Sequence, residues 1–267
     1  AEELMELNWK RLLKLDFEKE EVLGLDIGSS AVKLIQLRKD NGVYAVTAAG
    51  MVDIAVSEEN KNLVSEENKN LGEISTAKAI NECLESAEIQ TRLAVCSVCG
   101  PEVAVRDFKF PSLPSEEIEG AILLEASQVC PFSVDDSAVD YRLISDDDDE
   151  TRGVLVAATN KLIERKVKLA EEASLSCVLM DVDGLALLNC FSECEVPEAV
   201  RTTAILNVGG SYTSLAILGD NDLPFVRDMD YAGNHIIKEI ANENHLSVED
   251  VRKILYGGAN PRQPQSE

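Results

Sequence analysis

Two distant stretches of the chain share one pattern: a strand, a glycine turn and a second strand. LGLDIGSSAVKLIQL begins at Leu23, and AILNVGGSYTSLAIL begins at Ala204. In each copy a polar residue ends the first strand, a glycine follows two residues later, and a serine comes two residues after that. The aligned pairs are Asp26 with Asn207, Gly28 with Gly209, Ser30 with Ser211, and Leu34 with Leu215. This repeat predicts a duplicated α/β fold whose two lobes each begin with such a hairpin.

The glycines of these turns predict a phosphate-binding role. Backbone N–H groups can approach a phosphate chain only where no Cβ blocks the way, so glycine is the residue expected at the turn. Serine hydroxyls add further donors. A strand-end carboxylate such as Asp26 can hold Mg²⁺ through water, because hard cations prefer oxygen ligands. Tight turns use Asp and Gly for conformational reasons too, and the second copy is what favours phosphate binding.

Composition excludes several function classes. The 267 residues include 25 Lys and Arg against 49 Asp and Glu, which gives a formal net charge of −24. Nucleic-acid binding needs clustered cations, so we expect no nucleic-acid partner. No apolar run approaches the roughly 18 residues that cross a bilayer, and we expect no direct membrane span. Seven cysteines scattered through apolar stretches are typical of reduced thiols in a cytosolic protein.

Periodicity and capping residues outline the remaining elements. Residues 1–20 predict an amphipathic helix, which packs on its own domain or on a neighbour. Residues 56–71 hold a tandem VSEENKNL repeat that predicts a polar loop insertion, with or without a helical turn. Ser75–Ala87 predicts a helix, and Ser115 and Ser247 are expected to cap two more. The DDDDET run predicts a solvated hairpin tip.

The ordered series of motifs resembles the actin-like ATPase superfamily and, within it, the FtsA-like branch that contains the PilM family of type IV pilus assembly proteins. The stretches that carry the resemblance run from residue 22 to about residue 255: GLDIGSSAVKLIQL, FPSLPSEEIEGAILLEASQVCPF, VDYRLIS, GVLVAATNKLIERKVKLAEEA, VLMDVDGLALLN, LNVGGSYTSLAI, MDYAGNHIIKEIA and LSVEDVRKIL. The resemblance implies a ribonuclease H-like fold with a small α+β domain inserted in the first lobe.

The resemblance also implies a site for ATP or ADP with Mg²⁺. Asp26, Gly28, Ser29 and Ser30 would form the first phosphate loop, with Lys33 reaching the phosphates. The second loop would begin at Asn207 and be formed by Gly209, Gly210, Ser211 and Thr213. Gly233 and Asn234, at the start of a helix, would lie near the ribose or the phosphates. Glu249 and Lys253 would contact the nucleoside.

Two departures from the family pattern qualify this expectation. The second loop usually begins with Asp, and here it begins with Asn207, which favours ATP binding over efficient hydrolysis. About 65 residues follow Thr202, whereas a complete lobe needs roughly 150, so we expect an incomplete second lobe. The Gly257-Gly258 pair is interpreted as a helix stop.

The predicted domains follow from the same alignment. They are an N-terminal helix over 1–20, a first lobe over 21–97 and 177–200, an inserted domain over 98–176, and the start of a truncated second lobe over 201–267.

By resemblance, the function is that of a cytoplasmic scaffold in type IV pilus assembly. It would bind the cytoplasmic N-terminal peptide of an inner-membrane PilN-like protein, in a groove between the first lobe and the inserted domain, and meet other pilus assembly proteins at the inner face of the membrane. An acidic groove suits a peptide flanked by basic residues. Alternatives are a type II secretion or competence scaffold, an FtsA-like filament protein, and a small-metabolite kinase that uses Asp181 or Asp183.

Cysteine and histidine chemistry receives little support. Cys96 with Cys99 and Cys190 with Cys194 could make a zinc site, but strand alternation sends the first pair to opposite faces, and buried small hydrophobic residues are favoured. His235 and His245, the two histidines, lack metal-ligand spacing, and we expect surface or capping roles for them.

Overall fold

The computed structural model describes residues 21–40, 43–54, 66–146, 150–194, 202–219 and 223–255. Its strands are β1 (Leu23–Ile27), β2 (Ala31–Asp40), β3 (Val43–Asp53), β4 (Leu93–Val98), β5 (Val103–Pro111), β6 (Ser137–Asp146), β7 (Glu150–Thr159), β8 (Ser176–Val182), β9 (Thr203–Val208), β10 (Thr213–Leu218) and β11 (Pro224–Met229). Its α-helices are α1 (Glu66–Ser86), α2 (Ser115–Val129), α3 (Asn160–Glu172), α4 (Asp183–Cys194), α5 (Gly233–Asn244) and α6 (Val248–Leu255), and a 3₁₀ turn spans Val134–Asp136.

The first lobe is a five-stranded sheet in the order β3-β2-β1-β4-β8, with α1 and α3 packed on it. Strands β1, β2 and β3 are antiparallel, whereas β4 pairs in parallel with β1 and with β8. Buried and part-buried residues alternate along β1 and β4, because one face of the sheet meets the helices. Leu23, Val32 and Ile80 are fully buried in this core.

The second lobe, as far as the structure describes it, repeats the start of the first. Its antiparallel sheet has the order β11-β10-β9, the same order as β3-β2-β1, and α5 and α6 pack together beside it. The Gly28 N–H donates to the Ala31 carbonyl at 3.0 Å, and the Gly209 N–H donates to the Tyr212 carbonyl at 2.9 Å. The duplication predicted from sequence is therefore confirmed. Strand β11 was not predicted.

The inserted domain is formed by β5, α2, β6 and β7, with the antiparallel order β5-β7-β6. Ile118, Ile122 and Ala126 of α2 pack on Phe108 and Leu155 of this sheet. The next helix, α3, places Leu169 and Ala170 in the core of the first lobe. The domain limits set from sequence stay a prediction.

Helix α4 joins the two lobes. It follows β8 directly and packs on β4, β8, β10 and β11. Its second residue, Gly184, lies against Val226 of β11 so closely that a Cβ on Gly184 would overlap both methyl groups of Val226. Val226 belongs to a shared core in which Val98, Val182 and Leu188 also lie. Glycine is therefore required where α4 crosses the second sheet.

Two expected details differ, and a third is confirmed. Helix α1 begins at Glu66, earlier than the predicted Ser75, so most of the second VSEENKNL copy is helical. Pro114 occupies the N-cap of α2 with no side-chain cap, and Ser115 is the first helical residue, so its predicted capping role is wrong. The Ser247 cap is confirmed, because its Oγ accepts from the Asp250 N–H at 3.0 Å. The predicted N-terminal helix, the first repeat copy and the Gly257-Gly258 stop lie outside the described residues.

Candidate functional site

The two glycine hairpins meet in space. A Cβ on Gly210 would lie 2.8 Å from Ser29 Oγ and 3.2 Å from Ser30 Oγ. The turn after β1 and the turn after β9 therefore face each other across the junction of the lobes. This convergence is the geometry expected of a paired phosphate cradle.

The first glycine of each turn shapes the loop instead of donating to a ligand. The amides of Gly28 and Gly209 are both used by the hydrogen bonds that close their own turns. A Cβ would lie 2.8 Å from the Ala31 carbonyl oxygen in the first turn and 2.8 Å from that of Tyr212 in the second. Any donors that these turns offer to a ligand must therefore come from the residues that follow, which are Ser29, Ser30, Gly210 and Ser211.

The start of α5 supports the second loop from behind. The N–H groups of Gly233 and Asn234 donate to the carbonyls of Gly209 and Gly210 at 3.0 and 2.9 Å. The Thr213 hydroxyl donates to the Tyr231 carbonyl at 2.7 Å. The first amides of α5 thus hold the loop in place, and a direct role for Gly233, Asn234 or Thr213 in ligand binding stays a prediction.

Asp26 is the penultimate residue of β1 and lies beside Lys33 of β2, whose Nζ is 2.8 Å from Asp26 Oδ2. Both side chains are about half exposed, and the pair sits next to the first loop. Asn207 occupies the matching place on β9, opposite Ser214.

The donor set at this strand end suits water-mediated Mg²⁺ binding. In the described part of the chain, no three His, Cys, Asp or Glu side chains converge in a way that could hold a metal ion. A single carboxylate fits Mg²⁺ that keeps its waters and takes its other ligands from phosphate oxygens, as this ion commonly does. The residues present are therefore compatible with a magnesium nucleotide.

Glu249 and Lys253 lie on α6, where they pair with each other at 2.7 Å on an exposed face. The buried face of α6 presents Val251 to α5. Sequence reasoning missed Arg252, whose Nη2 donates to Asn234 Oδ1 at 2.8 Å and ties α6 to the start of α5. Nucleoside contacts by Glu249 and Lys253 stay a prediction.

A part-buried polar cluster lies next to the first loop. Lys166 of α3 donates from Nζ to the Ile27 carbonyl at 2.5 Å, one residue before Gly28. Burial raises the pKa of the Cys99 thiol, and the nearby Asp183 carboxylate raises it further. Burial also raises the pKa of Asp181, against the effect of the hydrogen bond from the Val182 N–H. Sequence reasoning missed Lys166, whose only signal is a lysine near the apolar face of an amphipathic helix.

Asp228 of β11 links the second lobe to the turn after β4. Its Oδ2 accepts from the Gly100 N–H at 2.6 Å, and its Oδ1 accepts from the Ser214 hydroxyl at 2.5 Å. Gly100 has φ +102° and lies against the Tyr212 ring, where a Cβ would be 3.1 Å from the ring edge. The carboxylate therefore ties the turn after β4 to the second lobe, and glycine is the residue that adopts this backbone conformation without steric cost.

Replacing Asp228 with alanine is expected to lower the free energy of unfolding by about 1–3 kcal/mol, because the buried Gly100 amide and Ser214 hydroxyl lose a charged acceptor. Urea denaturation followed by circular dichroism measures the loss. The matched control is Asp230→Ala, which removes an exposed carboxylate two residues away. Equal stability of the two variants would contradict the assigned link.

The other candidate ligands are dispersed. Cys96 is buried in the core of the first lobe, whereas Cys190 and Cys194 are exposed on α4. The rings of His235 and Tyr231 stack with centroids 5.9 Å apart. His245 is the left-handed C-cap of α5, with φ 53°. Within the described residues these side chains build no zinc centre.

None of the helices that the structure describes is both long enough and apolar enough to cross a bilayer.

The arrangement resembles solved structures of related architecture. A PilM–PilN type IV pilus biogenesis complex matches with a TM-score of 0.70 and 24% identity, over 91% of this chain and 73% of that chain. The ethanolamine utilization protein EutJ from Carboxydothermus hydrogenoformans matches with a TM-score of 0.50 and 13% identity, over 94% and 70%. A Bacteroides thetaiotaomicron protein with an actin-like ATPase fold has a TM-score of 0.43 and 9% identity, over 87% and 81%.

The repeated hairpins, the sheet order and the structural matches define an actin-like ATPase fold with a small inserted domain. A family model described as type IV pilus assembly protein PilM matches residues 24–267. The chain belongs to this family.

Proposed function

We propose that this chain is a cytoplasmic, nucleotide-binding scaffold of type IV pilus assembly. In this proposal it binds the cytoplasmic N-terminal peptide of an inner-membrane PilN-like protein and so works at the inner face of the membrane. Family membership supports the pilus role, and the matched structure is itself described as a PilM–PilN complex.

The observation that carries the nucleotide part is the contact of Gly210 with Ser29 and Ser30. It brings two loops of the same shape within reach of one phosphate chain, ATP or ADP. Ser29, Ser30 and Ser211 would bind phosphate oxygens with hydroxyl and amide groups, and Asp26 would hold Mg²⁺ through water. Bound Mg²⁺ would neutralise phosphate charge.

Binding without efficient hydrolysis is the favoured activity. Asn207 supplies a neutral amide where the first lobe supplies the carboxylate of Asp26. An amide cannot take a proton from an attacking water, and it binds hydrated Mg²⁺ less strongly than a carboxylate does. In this proposal the nucleotide serves to hold the lobes together.

The peptide would lie between the first lobe and the inserted domain. The two units have separate cores, one around Leu23 and Ile80 and one around Phe108 and Ile122. A net charge of −24 favours a partner segment with basic residues.

The partner experiment is a titration with the N-terminal cytoplasmic peptide of a PilN-like protein. We expect saturable binding that weakens as NaCl rises from about 0.05 to 0.5 M, because salt screens exposed charges. A scrambled peptide of the same composition is the control. Equal binding of both peptides, or no saturation, would remove the partner proposal.

The nucleotide experiment is a calorimetric titration of the whole chain with ATP and with ADP in the presence of Mg²⁺. We expect binding of both, with ATP turnover no faster than in a Gly210→Val variant. No heat of binding with either nucleotide would remove the nucleotide part and leave the peptide part standing.

A further inference from the structure

The side chain of Lys166 crosses from α3 to the end of β1. Its Nζ donates to the Ile27 carbonyl at 2.5 Å, across a separation of 139 residues. The carbonyl immediately precedes Gly28, which begins the first loop. An ammonium group has three donors, so one bond to a carbonyl leaves capacity for another acceptor.

Acidic groups surround this ammonium. Burial lowers the pKa of Lys166, whereas the nearby Asp183, Cys99 and Asp26 raise it again. The Arg165 side chain lowers the same pKa to a smaller extent. This part-buried lysine is therefore placed where the carboxylates of Asp183 and Asp26 would otherwise repel an incoming anion.

Lys33 is placed differently. Its Nζ is paired with Asp26 at 2.8 Å, and 56% of its side chain is exposed. Exposed ion pairs contribute little, because water screens them. A fixed cation beneath the loop interacts more strongly with a phosphate than an exposed one does.

We propose that Lys166 is a phosphate-binding and specificity-determining residue, a fixed cation that lets this cleft bind a nucleoside triphosphate with little dependence on divalent metal. This inference rests on the proposed nucleotide-binding function. Lys166 would supply a cation from helix α3. The cleft would need that cation because Asn207 stands in the second lobe where the first lobe has the carboxylate of Asp26.

The test compares the Kd for ATP in EDTA with the Kd in excess Mg²⁺, measured by calorimetry on the whole chain. For the natural chain we expect the two values to agree within about fivefold. Lys166→Gln should raise the metal-free Kd at least about tenfold and the Mg²⁺ Kd less than about threefold, because magnesium replaces part of the missing charge.

The matched control is Lys168→Gln on the same helix. The Lys168 side chain points away from the loop, and its Nζ lies 2.9 Å from Glu73 Oε2. Lys168→Gln should therefore leave both Kd values for ATP unchanged. Asp183→Asn should have the opposite effect on the metal-free Kd for ATP. It removes a negative charge beside Lys166 that would repel the phosphates, and it should lower this Kd about three- to tenfold. This second variant decides the question if Lys166→Gln does not fold.

The possible outcomes separate the two proposals. If the natural chain binds magnesium ATP and Lys166→Gln leaves the ratio of the two Kd values unchanged, the role of Lys166 is refuted while nucleotide binding stands. An unchanged ratio in Asp183→Asn also counts against it. If the natural chain binds ATP under neither condition, both proposals are wrong.

Discussion

Replacing Gly210 with valine is expected to weaken ATP binding by at least about 30-fold, which corresponds to about 2 kcal/mol. The cause is steric. A Cβ added at Gly210 would lie only 2.8 Å from Ser29 Oγ and 3.3 Å from Ser30 Cβ. Valine adds two methyl groups to that Cβ, and these would push the two loops apart. Calorimetric titration with magnesium ATP measures the effect. We expect alanine at the same position to give an intermediate loss, because the Ser29 hydroxyl can rotate away.

The matched control for Gly210→Val is Gly72→Val in helix α1, where nothing lies within 4 Å of the added Cβ. Its ATP affinity should equal that of the natural chain. Melting temperatures of all variants show whether the fold is intact. Full ATP affinity in a folded Gly210→Val protein would contradict the paired cradle.

Gly153→Ala is expected to destabilise the inserted domain by about 3 kcal/mol. Gly153 lies in the central strand β7, with Phe108 opposite it on β5. A Cβ there would overlap the Arg142 carbonyl of β6 and come within 2.7 Å of Phe108 Cζ. The Phe108 ring is buried and stacks on Phe110 with centroids 5.1 Å apart, so it cannot move away without opening the core. Urea denaturation measures the loss.

Gly120→Ala provides the comparison within the same domain. Gly120 lies on α2 with nothing within 4 Å of an added Cβ, and alanine in a helix interior is favoured over glycine by about 1 kcal/mol. The two substitutions should therefore shift the denaturation midpoint in opposite directions. A Gly153→Ala protein as stable as the natural chain would show that the strand can shift to accept the methyl group.

The duplication was predictable because each hairpin has a recognisable local sequence pattern. Alternating apolar residues define the strands, and glycine marks each turn at the same offset from Asp26 and Asn207. Helix α6 followed from its capping residue, Ser247, for the same reason. These features are local, and local sequence specifies them.

The parts that escaped prediction depend on contacts across the chain. Strand β11 contains a proline and charged residues, and pairing with β10 is what makes it a strand. Asp228 is hydrogen-bonded to Gly100, which is 128 residues away in sequence, and Lys166 is hydrogen-bonded to Ile27, which is 139 residues away. No spacing rule relates such residues, so their roles became visible only once the sheets were assembled.

The close fit of Gly184 against Val226 restricts how the molecule could open to exchange a ligand. The lobes cannot slide past each other at this point, because the helix backbone of one is interlocked with the valine methyl groups of the other. Motion that preserves the contact must pivot there. The contact of Gly184 with Val226 would therefore be the pivot of a rotation of one lobe against the other, and the segments farthest from it would move the greatest distance.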